Sequence, residues 1–224
     1  MKTKLFPLLM ILLLSASLTI AQNADNAKMS FGVLGGVNFQ NLNGTESDGY
    51  KLNYDMLLGF HVGANVQIPI APEFFFQPGL LLSTKGAKDK RISSTITTKI
   101  TYLELPLNFV YKGLLGNGYV MVGFGPYFGF GIGGKEITES SSPTTEEKIK
   151  FKSVVNPNDP DLVYFKAFDA GANIFAGYVM ASGIFVQLNT QFGMLKINPE
   201  NTDSPGDKAS YKNTGFGLSI GYRL

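Results

Sequence analysis

Tyr102-Leu-Glu-Leu-Pro-Leu-Asn-Phe-Val-Tyr-Lys112 is the stretch whose reading decides the fold. Leu103, Leu105, Leu107, Phe109 and Tyr111 share one parity, and Glu104, Pro106, Asn108, Val110 and Lys112 share the other. Successive strand side chains point to opposite faces, so the segment predicts a strand with one greasy face and one mostly polar face. Glu104 sits in the middle of the polar face. A carboxylate there is costly in lipid unless it is paired. The greasy face is therefore read as meeting lipid, and the other as lining a narrow barrel.

Seven more segments alternate in the same way. They are Phe31–Asn41, Met56–Ile68, Phe74–Thr84, Tyr119–Ile132, Phe168–Val179, Ile184–Gly193 and Asn213–Leu224. The Tyr102 segment itself extends back toward Ile96. These lengths suit the ~9–11 residues of a tilted membrane strand. In the Tyr119 segment, Val120, Val122, Phe124, Phe128, Phe130 and Ile132 oppose Gly123, Gly125, Gly129 and Gly131. The connections alternate between long and short. Pro69–Glu73, Gly113–Gly118 and Met180–Gly183 are short. Leu42–Asp55, Lys85–Thr95, Gly133 to about Lys166, and Met194–Lys212 are long. That is the register of an outer-membrane barrel, with an even strand count and both termini periplasmic. The tract Thr138–Asp161 is rich in Ser, Thr, Pro and charge, and is expected to be mobile.

The fold class predicted is all-β: an eight-stranded antiparallel up-and-down transmembrane β-barrel behind a cleavable signal peptide. Lys2 and Lys4, the apolar run Leu5–Leu14 and the small-residue tail ending at Ala21 make residues 1–21 a secretory signal. Residues 22–30 form a short N-terminal segment and 31–224 the barrel domain. The rival is a soluble lipocalin-like barrel, which keeps its apolar side inward. Composition argues against it. Charged residues are 16% of the 224, below the ~25% of soluble domains. The strand interiors hold only Glu104, Asp169 and Arg223 as charges, all on the small, polar parity. Aromatics gather at strand ends, Tyr111, Tyr178 and Tyr222 at one and Phe60, Phe128, Phe130 and Phe192 at the other, like two interfacial girdles.

Cysteine is absent and there is one His, which excludes a disulfide frame, a thiol nucleophile and a multi-His metal site. No metal or cofactor is expected. Removing Lys2 and Lys4 from the 19 basic residues leaves 17 against 17 acidic, so charge gives no reason to expect nucleic acid. Gly129-Phe-Gly131-Ile-Gly133-Gly134 matches G-x-G-x-x-G, but no helix pattern follows, and glycines on one strand parity fit the packing of a narrow bore. Asn43-Gly-Thr45 is a chance-frequency sequon. The expected interior polar network comprises His61, Asn65, Glu104, Asn108, Asp169, Asn173, Gln187 and Arg223, with the charges pairing to lock the barrel. His61 is read as lying near the outer end of its strand, with no nucleophile pattern beside it. The basic tract Lys85–Arg91 is read as solvated loop charge or a contact to lipopolysaccharide phosphates.

Tyr102-Leu-Glu-Leu-Pro-Leu107, Gly125-Pro-Tyr-Phe-Gly129, Phe168-Asp-Ala-Gly171 and Gly217-Leu-Ser-Ile-Gly-Tyr-Arg-Leu224 together resemble the PorT-type outer-membrane β-barrel family of Bacteroidota, small OmpX/OmpA-like barrels. The resemblance covers nearly all of the mature chain. It implies an eight-stranded outer-membrane barrel, and carries over no functional residues. Its founding member is linked to protein secretion across the outer membrane. The function expected is a structural or binding surface protein, monomeric and not an enzyme. Its bore is filled and non-conducting. Its partners are outer-membrane lipid or lipopolysaccharide, and a protein partner at the extracellular loops. The alternatives are a secretion accessory, a small passive pore and a lipid-modifying enzyme using His61.

Overall fold

The computed structural model describes residues 28–140, 143–155, 162–201, 204 and 206–224. The expected signal peptide lies outside them. Eight strands form a closed antiparallel ring: β1 (Ser30–Thr45), β2 (Asp55–Ala71), β3 (Phe74–Lys90), β4 (Ser94–Leu115), β5 (Gly118–Ser140), β9 (Phe168–Val179), β10 (Ile184–Gly193) and β11 (Ser210–Arg223). Pairing of β1 with β11, from Gly32 opposite Arg223 to Thr45 opposite Ser210, closes the ring. Three short pieces belong to the connection after β5: β6 (Thr145–Lys148), β7 (Lys150–Phe151) and β8 (Tyr164–Phe165). β6 pairs with the far end of β5, and β7 runs parallel to β8.

The parity read from Tyr102–Lys112 governs the whole ring. Leu103, Leu105, Phe109 and Tyr111 are exposed, while Glu104, Asn108 and Val110 are buried. Phe124, Phe130, Leu188 and Ile220 are each about 60% exposed on the outer wall. Cross-strand aromatics knit that wall. The rings of Phe76 and Phe109 lie 5.6 Å apart, those of Phe109 and Phe124 6.3 Å, and those of Phe74 and Tyr111 5.4 Å. So continuous an apolar surface is not that of a water-soluble monomer.

Most strands outrun their predicted limits, β3, β4 and β5 among them. β3 continues through Lys85–Lys90, β4 begins at Ser94, and β5 continues past Ile132 to Ser140. The expected loop Lys85–Thr95 is thus a hairpin with residues 91–93 at its tip. Hydrophobic alternation lapses there because the outer face no longer meets lipid, yet the backbone ladder goes on. Within the tract expected to be mobile, Thr145–Lys148 and Lys150–Phe151 are paired strands.

An eight-stranded bore is narrow enough for side chains to fill. On the side of β4, β5, β9 and β10 it is packed by Val110, Met121, Phe175, Val179 and Phe185. Glycines facing these rings make the packing possible. A Cβ on Gly123 would lie 2.3 Å from the Phe175 ring, and one on Gly221 would lie 2.2 Å from the Phe185 ring. Each glycine sits opposite its phenylalanine in the ladder. Gly123→Val is expected to cost about 1–3 kcal/mol by overpacking. It should lower the temperature at which the detergent-solubilised barrel loses its compact electrophoretic mobility. Adding Phe175→Ala should return part of that loss, as expected for contacting sites.

Candidate functional site

The bore is layered from the loop end to the short-turn end, and each layer is set by strand register. At the loop end a hydrophobic cap closes the mouth. Leu42, Leu52, Ala87, Ile100 and Tyr102 from the rim pack against Ile149, Phe165 and Ile197 from the connections. Backbone bonds stitch the cap together: Ile149 N–H donates to Gly134 O (3.0 Å), Lys150 to Val163 O (2.8 Å), Lys166 to Ile197 O (2.7 Å) and Ile197 to Tyr211 O (2.8 Å). Tyr54 and Tyr211 meet edge to face at its margin, 6.4 Å between centroids. Burial and the neighbouring Tyr211 raise the Tyr54 hydroxyl above its ordinary pKa, so it stays a hydrogen-bond donor.

Beneath the cap lies the charged layer. Lys85 Nζ sits 2.8 Å from Glu104 Oε1 and 3.3 Å from Asp169 Oδ2, all three side chains at most 2% exposed. Asp169 Oδ2 also accepts from Tyr127 Oη (3.2 Å) and Asn213 Nδ2 (2.9 Å). Glu104 Oε2 accepts from Gln191 Nε2 at 3.0 Å. The ammonium lies 4.1 Å from the Tyr127 ring centroid, so the ring face adds a cation–π contact. Lys85 is therefore not the loop charge that its basic tract suggests but a buried counter-ion. Its signal was available: it continues the inward parity of Gln77, Gly79, Leu81 and Ser83 by one step.

The next layer is neutral and amide-rich. His61 is at mid-bore rather than near the outer end of its strand, opposite Gly36 on β1 and Ser83 on β3. Its Nδ1 is 2.6 Å from Asn38 Oδ1 and its Nε2 2.7 Å from Ser219 Oγ. Asn38 Nδ2 donates to Ser83 Oγ (3.1 Å). That leaves Asn38 Oδ1 to accept from Nδ1–H, and Nε2 to accept from the Ser219 hydroxyl. A serine does therefore stand beside His61, which the linear sequence concealed across 158 residues. Asn173 Nδ2 donates to Asn108 Oδ1 at 3.0 Å. These groups, with Gln187 and Glu104, surround a void of about 50 Å³.

At the short-turn end Arg223 Nη2 donates to Asn65 Oδ1 (2.9 Å) and Gln77 Oε1 (3.4 Å), and Gln67 Nε2 donates to Gln77 Oε1 (2.8 Å). The expected pairing of Arg223 with Glu104 and Asp169 does not occur. Asn108 and Gln77 face each other in the β3–β4 ladder, as do Glu104 and Leu81. Four residues of strand, ~13 Å, thus separate the Arg223 level from the Glu104 level. Among the described residues no group of three His, Asp or Glu side chains stands ready to hold a metal ion.

A closed ring with an apolar exterior and a packed polar interior defines a transmembrane β-barrel of the outer-membrane class. The family described as "Outer membrane protein beta-barrel domain" matches residues 20–222, and the chain belongs to it. It is a protein of the bacterial outer membrane. No curated protein matches the sequence. Among solved structures, OprG from Pseudomonas aeruginosa is similar at 11% identity, covering 90% of this chain and 98% of that one, with a TM-score of 0.44. Ail of Yersinia pestis, solved with the heparin analogue sucrose octasulfate, is similar at 12% identity, covering 88% and 100%, with a TM-score of 0.41. Neisserial surface protein A is similar at 11% identity, covering 88% and 99%, with a TM-score of 0.41.

Lys85→Met is expected to destabilise the barrel by about 3–5 kcal/mol, because it strands two buried carboxylates. Combining it with Glu104→Gln and Asp169→Asn should recover most of the loss. Urea unfolding of the barrel in lipid vesicles, followed by tyrosine fluorescence, measures both.

Proposed function

We propose that this chain is a monomeric, non-conducting surface barrel whose loop-end cap carries its recognition of partners. The observation behind this reading is the packing of the bore. Tyr102, Tyr127, Phe175 and Phe185 are at most 2% exposed inside the ring, under a hydrophobic cap. The void of about 50 Å³ has room for a water or two. Short turns face the periplasm and the longer connections the exterior. The described chain then begins and ends on the periplasmic side.

Tyr50 is 76% exposed and Ile92, at the tip of the β3–β4 hairpin, is fully exposed. Large apolar side chains held above the lipid at the ends of the β1–β2 and β3–β4 connections suit contact with another macromolecule. Of the four basic residues assigned to lipopolysaccharide contact, Lys85 is inside the bore. Lys90 pairs with Asp55 at 2.6 Å and Arg91 with Asp89 at 2.8 Å. That leaves Lys88 as the freest of the four for lipid phosphates.

Catalysis by His61 is disfavoured by its surroundings. Both ring nitrogens are engaged, Ser219 is 1% exposed, and the adjoining void cannot admit an acyl chain. The resemblance to PorT-type barrels suggests a secretion-accessory role as the second reading, tested by the secreted protein profile of a deletion strain.

Purified protein in planar bilayers is expected to give no unitary conductance steps; porin-sized steps would overturn the reading. Photo-crosslinkers at Tyr50 and Ile92 in intact outer membranes should yield one discrete adduct beyond lipid. Adducts at a Leu188 control but at neither loop position would remove the recognition role. His61→Ala should leave phospholipid and lipid A turnover unchanged.

A further inference from the structure

The short-turn mouth carries positive charge that the protein itself does not neutralise. A cavity of about 460 Å³ opens there, lined by Lys28, Lys112 and Arg223 together with Phe75 and Tyr119. Arg223 is 7% exposed, and its Nε and Nη1 have no hydrogen-bond partner. A guanidinium cannot shed its charge. Its contacts are two side-chain amide oxygens and the face of Phe185, 5.3 Å from Cζ to the ring centroid. Lys112 stands beside it in the same mouth, half-buried, with Nζ 4.8 Å from the Tyr119 centroid and 5.8 Å from that of Phe75. Among the described residues neither cation has an ion pair. Glu73 is the acidic side chain among the lining residues, one against the three cations Lys28, Lys112 and Arg223.

Two adjacent cations, drawn out of water and stacked on aromatic rings, repel one another, and neither is ion-paired. The acids that would balance Arg223 lie at the far level of the bore, committed to Lys85. A buried charge without a counter-ion is unfavourable. The remedy left to the molecule is an anion from outside, and the cavity gives it a way in.

We propose that the short-turn mouth is a binding site for a phosphate oxyanion, ion-paired to Lys112 and held in the field of Arg223. The phosphate is either free in the periplasm or borne by a phospholipid headgroup of the inner leaflet.

The test is a titration with inorganic phosphate of protein in a non-ionic detergent, reading the NMR signals of the Lys112 ammonium and the Arg223 Nε–H. Both signals are expected to shift saturably while that of Lys85 does not. Lys112→Met, which keeps the stem on Tyr119, should weaken binding at least about tenfold, ~1.4 kcal/mol. Arg223→Gln should do the same where it folds. A second arm uses nanodiscs without added phosphate, comparing phosphatidylglycerol with phosphatidylcholine. Shifts already present with phosphatidylglycerol assign the headgroup, and shifts appearing only on adding phosphate assign the free ion. The site is overturned if both arms leave the Lys112 and Arg223 signals unmoved. It is equally overturned if chloride competes as well as phosphate, or if Lys112→Met binds phosphate unchanged.

Discussion

Lipid offers no hydrogen-bond partner, so every backbone N–H and C=O of a spanning strand must be met by another strand. For this chain that requirement is satisfied by the seam between β1 and β11, fourteen register positions long from Gly32–Arg223 to Thr45–Ser210. Once the seam closes, strand parity becomes inside and outside. Leu103, Phe109 and Ile220 have no place but the outer wall, and Glu104, Asn108 and Asp169 none but the bore. The core of this protein is accordingly its polar side, the reverse of a soluble domain.

A core of that kind has two difficulties, volume and charge. Volume is handled by pairing small with large: Gly123 receives Phe175 and Gly221 receives Phe185, directly across the ladder. Charge is handled unevenly. At the loop level two carboxylates hold one ammonium, and tyrosine and amide groups donate to the same carboxylates. At the short-turn level a guanidinium rests on amides and an aromatic face. Formally the bore side chains balance, two acids against Lys85 and Arg223, but the charges are segregated along its axis. The bore is therefore an oriented dipole, acid-rich toward the loops and base-rich toward the turns.

Strand number, parity and connection order were legible because lipid imposes a strict two-residue period on every strand it touches. The limits of β3, β4 and β5 were not, since above the membrane the ladder persists without that period. The same blindness hid Lys85, whose neighbours Lys88, Lys90 and Arg91 belong to the water-exposed part of the hairpin. Most of the lining residues could be assigned by parity alone. Their partners could not, because Lys85, Glu104 and Asp169 come from β3, β4 and β9, and their meeting depends on the tilt and stagger of the ring. The cap escaped notice for a different reason. Ile149, Phe165 and Ile197 come from two different connections, and no periodicity in the sequence ties them to one another or to the rim.

The three-strand origin of the charged layer bears on biogenesis. Lys85 and Glu104 come from the adjacent strands β3 and β4, but Asp169 arrives on β9, 65 residues after Glu104. Until that strand docks, its carboxylate has neither ammonium nor tyrosine beside it, and hydrocarbon would be a hostile place to wait. Strands entering the bilayer one at a time would meet that penalty midway. A nearly complete sheet, curled at the membrane edge before it goes in, would not.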